Sequence, residues 1–105
     1  MKPYSISESQ FQKEVIDSKT AVLVDFYAEW CQPCKTLSAI LTKIGESKNG
    51  SLKIVKLDVM AAQVLASTYM VNSLPTVVLF KNGNVVSALE GLHSVRTYDD
   101  MLESV

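Results

Sequence analysis

In the first half of the chain the hydrophobic period changes abruptly after Tyr27. Ala21-Val22-Leu23-Val24-Asp25-Phe26-Tyr27 is a nearly unbroken apolar run of strand length, whereas from Gln32 onward Leu37, Ile40, Leu41 and Ile44 recur at helical spacing. A strand therefore runs into a helix. The only two cysteines, Cys31 and Cys34, and the only tryptophan, Trp30, lie at that junction. A strand apolar on both faces needs cover on both, which points to a largely parallel sheet between layers of helices. Cys-x-x-Cys at a helix start within such an alternation reads as a redox-active dithiol rather than a structural staple.

The rest of the chain fits that frame. Lys2 to Ile6 predicts a short strand. Ser7-Glu8-Ser9-Gln10 then supplies a capping box for a helix with the apolar stripe Phe11, Val15 and Ile16, ending near Lys19. After the central helix, closed by the Ser-, Asn- and Gly-rich stretch 46–51, Leu52 to Val59 is the next strand. Ala62, Leu65, Ala66 and Tyr69 form another helical stripe, broken at Asn72-Ser73. Val77 to Phe80 and Asn84 to Leu89 flank Lys81-Asn82-Gly83, and Asn-Gly is a strong hairpin signal. Ser94 caps a last helix carrying Tyr98, Met101, Leu102 and Val105. The order β-α-β-α-β-α-β-β-α predicts parallel strands wherever a helix links them, antiparallel pairing in the final hairpin, and helices on both faces of a mixed sheet.

Composition narrows the function classes. A chain of 105 residues is the size of one domain, 1–105, with a single real core. A net charge of -1 gives no reason to expect nucleic acid or an anionic membrane as partner. No apolar run reaches membrane-spanning length, and Met1-Lys2-Pro3-Tyr4-Ser5-Ile6-Ser7-Glu8, which turns polar and acidic at once, lacks the apolar core expected of a signal peptide. Two cysteines are too few for a secreted disulfide scaffold, so a reducing, cytoplasmic compartment is expected.

The chemistry follows from position. A free thiol near pKa ~8.5 is mostly protonated at neutral pH, and only the thiolate attacks a disulfide. Cys31 at the helix start would meet unpaired N–H groups and the positive end of the helix dipole, which lowers its pKa. Pro33 fits the first turn, where its missing N–H has no partner. Cys34, one turn on, can reach Cys31 while lying deeper. Cys31 is thus expected as the exposed attacker and Cys34 as the shielded resolver, with a Cys31-Cys34 disulfide as product. The plain alternative is an inert buried pair. A zinc site is disfavoured, because His93 is the only other soft ligand, and no metal or cofactor is expected. Asp25, a carboxylate inside an apolar strand, should have a raised pKa and accept a proton; its plain alternative is a strand-edge residue bonded to backbone. His93 reads as a surface residue, and Met60, Met70 and Met101 as core fillers.

These residues carry a resemblance to the thioredoxin family over essentially the whole length: Val24-Asp25-Phe26-Tyr27-Ala28-Glu29-Trp30-Cys31-Gln32-Pro33-Cys34-Lys35, Leu74-Pro75-Thr76, Phe80-Lys81-Asn82-Gly83 and Gly91. The resemblance implies an α/β fold, a central mixed five-stranded sheet flanked by four helices. It implies a protein disulfide reductase, recycled by an NADPH-dependent thioredoxin reductase and acting on disulfide-containing proteins. It places Asp25 beneath Cys34 with Lys56 nearby, makes the Leu74-Pro75 bond cis, and leaves the Leu74 backbone free to pair with an extended substrate. Trp30, Gln32, Pro33, Leu74, Gly91 and Leu92 become an apolar rim around Cys31. For Lys56 and Pro75 the plain readings are a solvated lysine and a turn proline, and Trp30 alone could equally sit in the core. A dithiol oxidase or isomerase on the same fold, and a non-enzymatic binding module, are the alternative functions. Three departures stand out. Gln32 replaces the usual glycine between the cysteines. Glu90 brings a negative charge to the rim, favouring basic or polar partners. Ala39 replaces a kinking proline, so the long helix should be straighter.

Overall fold

The computed structural model describes residues 2–48 and 50–105. Met1 and Asn49, the latter within the stretch expected to close the long helix, lie outside the described residues. Five strands, β1 (Tyr4–Ser5), β2 (Ala21–Tyr27), β3 (Leu52–Asp58), β4 (Thr76–Lys81) and β5 (Asn84–Glu90), form one mixed sheet in the order β1-β3-β2-β4-β5. Three α-helices, α1 (Gln32–Lys48), α2 (Gln63–Thr68) and α3 (Val95–Met101), and an N-terminal helical segment complete the α/β fold that the resemblance implies.

β2 is the central strand of the five. β2 lies between parallel β3 and antiparallel β4, and its alternation divides the core. Val22, Val24 and Phe26 face the N-terminal segment and α2, joining Phe11, Val15, Val55, Leu57 and Phe80. Tyr69 packs on that face against the rings of Phe11, Phe26 and Phe80 at 5.7, 6.5 and 5.3 Å. Leu23 faces the other way, with Leu37, Leu41, Ile44, Ile54, Tyr98 and Leu102 of the α1 and α3 layer. α1 runs unbroken through Ala39.

Several expectations need correction. β4 follows a helix-containing connection from β3, yet it runs antiparallel to β2, and so to β3. The six residues of α2 advance only about 9 Å, while a seven-residue strand spans about 23 Å, so the chain never returns to the start of the sheet. β1 is shorter than expected, because Pro3 has no N–H to donate; the pairing extends only by the Ile6 N–H to the Lys56 carbonyl, 3.0 Å.

The N-terminal helix begins after Ser7, whose N–H donates to Gln10 Oε1 at 2.8 Å, but it is not a regular α-helix. A 3-10 turn at Glu8–Gln10 widens into a π-helical stretch at Gln12–Ile16, closed by the Asp17 N–H on the Gln12 carbonyl and by Gln12 Nε2 on Asp17 Oδ1, both 2.9 Å. The hairpin is as expected: Asn82 and Gly83 have φ of 53° and 79°, the signs of a type I′ turn. α3 ends at Met101, short of Val105, and its cap is made by the Thr97 N–H on Ser94 Oγ at 3.2 Å. Met60 and Met70 are not core fillers, being 58% and 75% exposed, because both fall in the turns flanking the short α2. Met101 does pack on the α1 and α3 face.

Candidate active site

β2 delivers the chain to the top of the sheet, and the Cys31 N–H donates to the Ala28 carbonyl at 3.1 Å, closing the turn into α1. Cys31 and Cys34 are disulfide-bonded, with their Cα atoms 5.3 Å apart. The Cys34 N–H, one of the unpaired donors of the helix start, points at Cys31 Sγ from 3.3 Å. Pro33 occupies the first turn of α1 and is exposed, as its fixed φ and missing donor allow.

Exposure does not separate the two sulfurs as expected: Cys31 is 4% and Cys34 3% exposed. The bond to Cys34 draws Cys31 onto the helix end, where Ala28, Tyr27, Val59 and Leu74 pack around the pair. Orientation separates them instead. Cys31 lines a cavity of about 520 Å³ together with Trp30, Gln32, Pro33 and Leu74, and with Val59, Val71, Asn72 and Ser73. Cys34 lines a different cavity, of about 380 Å³, with Tyr27, Glu29, Lys35, Ser38 and Lys56. Trp30 is 71% exposed and therefore not a core residue.

The part that Val59, Val71, Asn72 and Ser73 play in lining this cavity was not anticipated from sequence. Val71, Asn72 and Ser73 immediately precede Leu74-Pro75, and that adjacency was the available signal. Ser38 was also missed, although it lies one turn after Cys34 on the same helix face.

Asp25 is fully buried in the middle of the central strand, which removes the strand-edge reading. Neither carboxylate oxygen has a hydrogen-bond partner among the described residues. Burial pushes its pKa up from 3.8 to about 7, against the opposing pull of Lys56. Lys56 stands beside Asp25 in the β2–β3 register. It is no solvated surface lysine: it is half-buried, Nζ donates to Ser38 Oγ at 3.2 Å, and the ammonium lies 4.6 Å from the centre of the Tyr27 ring. Asp25, Lys56, Ser38 and Cys34 thus share the α1 side of the sheet, Ser38 being one turn along α1 from Cys34.

The Leu74-Pro75 peptide is cis and Pro75 is buried. Leu74 makes no main-chain hydrogen bond among the described residues, while the Pro75 carbonyl accepts the Gly91 N–H at 2.7 Å. Pro75, Gly91, at φ 79°, and Leu92, 42% exposed, do not line the Cys31 cavity; the Gly91 N–H bond joins that turn to Pro75, the residue after the lining Leu74. Glu90 is exposed next to them. His93 is half-buried and bonded rather than a free surface residue, with Nε2 2.7 Å from the Glu90 carbonyl. No helix among the described residues is long and apolar enough to cross a membrane.

A family model described as Thioredoxin matches residues 2–104. The chain is 38% identical over 98 residues to a thioredoxin of Rickettsia felis, covering 93% of each chain. It is 36% identical over 98 residues to thioredoxin 1 of a Nostoc species, covering 93% of this chain and 92% of that one. It is 39% identical over 85 residues to thioredoxin C-2 of Corynebacterium nephridii, covering 81% and 79%. With a Trp-Cys-x-x-Cys pair at bonding distance, these matches make the protein a thiol-disulfide oxidoreductase of the reductase kind. By the family model and by relatives matched over nearly the whole length, the chain belongs to the thioredoxin family.

Proposed function

We propose that Cys31 is the attacking sulfur and Cys34 the resolving one. The Cys31 thiolate displaces one sulfur of a substrate disulfide, which leaves as a thiolate, and remains joined to the other in a mixed disulfide. The Cys34 thiolate then attacks Cys31 Sγ, releasing the second substrate thiolate and forming the Cys31-Cys34 disulfide. Two electrons leave the protein for each substrate disulfide reduced. The observation that carries this assignment is the division of cavities: Cys31 opens on the groove beside Trp30 and Leu74, Cys34 on the opposite side toward Lys56.

The supporting groups follow. The Cys34 N–H and the helix start favour negative charge on Cys31 Sγ, and so the attacking thiolate. Asp25, which titrates near neutrality, accepts the Cys34 proton in its ionised form, and Lys56 tunes it. Trp30, Gln32, Pro33, Leu74, Pro75, Gly91 and Leu92 hold the substrate, whose extended backbone pairs with the free Leu74 main chain. Gln32 and the exposed Glu90 bias the choice toward basic or polar partners. An NADPH-dependent thioredoxin reductase returns the disulfide to the dithiol in the cytoplasm.

The test is insulin-disulfide reduction with a thioredoxin reductase and NADPH. Wild type should turn over and Cys31→Ser should be inactive; an active Cys31→Ser would overturn the assignment.

A further inference from the structure

Tyr98 lies on α3, one turn beyond the Ser94 cap, and is fully buried in the core between α1, α3 and the sheet. Its ring serves that core, and for packing alone a phenylalanine would serve equally. Its hydroxyl does something else. It accepts the His93 N–H at 3.1 Å and donates to the Gly91 carbonyl at 3.2 Å, so one buried oxygen spans the turn whose apex is Leu92. Gly91 can aim that carbonyl at the hydroxyl because it holds φ at 79°, a conformation other residues rarely adopt. The same residue donates its N–H to the Pro75 carbonyl at 2.7 Å. The His93 ring meets the Tyr98 ring edge-on at 6.0 Å and bonds the Glu90 carbonyl through Nε2. The turn is thus bracketed from both ends, and Leu92 is held outward at 42% exposure.

We propose that Tyr98 is a positioning residue for polypeptide substrates: its hydroxyl locks the Gly91–His93 turn, and through Gly91 the Pro75 segment, in the form that receives an extended chain. This rests on the reading of Leu74, Pro75, Gly91 and Leu92 as the substrate rim. A small disulfide needs only Cys31 and its groove, whereas a protein disulfide must also seat its backbone and side chains along that rim. Loosening the turn raises the ordering cost of the second and leaves the first alone.

The experiment mixes pre-reduced protein with excess disulfide in single turnovers, using insulin and 5,5′-dithiobis(2-nitrobenzoic acid), for wild type, Tyr98→Phe, Tyr98→Leu and Leu92→Ala. Amide hydrogen exchange at His93 is followed alongside. For both Tyr98 variants the half-saturating insulin concentration should rise about fivefold, about what one net hydrogen bond is worth. The limiting rate and the small-disulfide reaction should be unchanged, and His93 exchange should accelerate. Accelerated exchange with an unchanged insulin concentration dependence overturns the proposal. So does an equal loss with both disulfides, which marks a purely structural role. If Leu92→Ala leaves insulin binding unaltered, the rim reading itself has failed.

Discussion

Replacing Asp25 with asparagine should change the pH dependence of stability by an amount the structure sets. The carboxyl is fully buried without a hydrogen-bond partner among the described residues, and burial raises its pKa from 3.8 to about 7. Between those pH values the folded protein keeps a proton that the unfolded chain has released. Stability from this group is therefore greatest below pH 3.8, falls as pH rises through the window, and levels off above about 7. At about 1.4 kcal/mol for each tenfold change in proton affinity, the full loss is about 4 kcal/mol. The asparagine side chain of the variant cannot ionise. Its unpaired amide costs stability too, but equally at all pH values, so it displaces the curve without changing its shape.

The assay is urea unfolding of both proteins at intervals from pH 4 to pH 8. Wild type minus variant should fall by about 4 kcal/mol across that range, with most of the fall complete by pH 7. A difference that stays flat would refute the claim that Asp25 ionises without compensation inside the fold.

Other outcomes follow from the same packing. Lys56→Met removes the positive charge that opposes the effect of burial on Asp25, so the Asp25 titration, followed by carboxyl-carbon NMR, should move further upward; a downward move contradicts the pairing of the two. Phe80→Ala empties a site in contact with Phe11 and Tyr69 and should cost about 3–5 kcal/mol in denaturant unfolding, whereas a loss under about 1 kcal/mol would mean the aromatic cluster is not tightly packed. Gly83→Ala should cost more than Gly50→Ala by chemical denaturation. Both glycines have positive φ, but a Cβ at Gly83 meets the Ile16 carbonyl oxygen at 3.0 Å, while one at Gly50 meets open space; equal losses would count against the contact.

What was legible in the sequence was local. The strand ending at Tyr27, the helix starting at Gln32, the Asn82-Gly83 turn and the Ser94 cap each follow from residues within one or two turns of one another, and each appears where it was read. The Cys31–Cys34 pair belongs to the same class, because a helix start and a three-residue spacing fix which sulfurs can meet. What was not legible depends on long-range placement. The direction of β4 is decided by how far α2 carries the chain, and the periodicity of Ala62 to Tyr69 does not say that only six residues would be helical. The π stretch at Gln12–Ile16 keeps the expected apolar stripe and changes only its hydrogen-bond span. In the residue pattern Lys56 is a strand lysine like any other and only the family resemblance singled it out; Ser38 and the Tyr27 ring, which close around it, come from other elements. The Tyr98 ring read as part of a core stripe, and a stripe says nothing about where a hydroxyl points.

The assignment of unequal roles to the two sulfurs is tested most directly by trapping. Cys34→Ser, reduced and mixed with a disulfide-containing protein, should form a stable covalent adduct through Cys31, seen as a mass increase that dithiothreitol reverses. Cys31→Ser should form none under the same conditions. An adduct on Cys34 in the Cys31→Ser protein, with none on Cys31 in the Cys34→Ser protein, would reverse the roles and contradict the account.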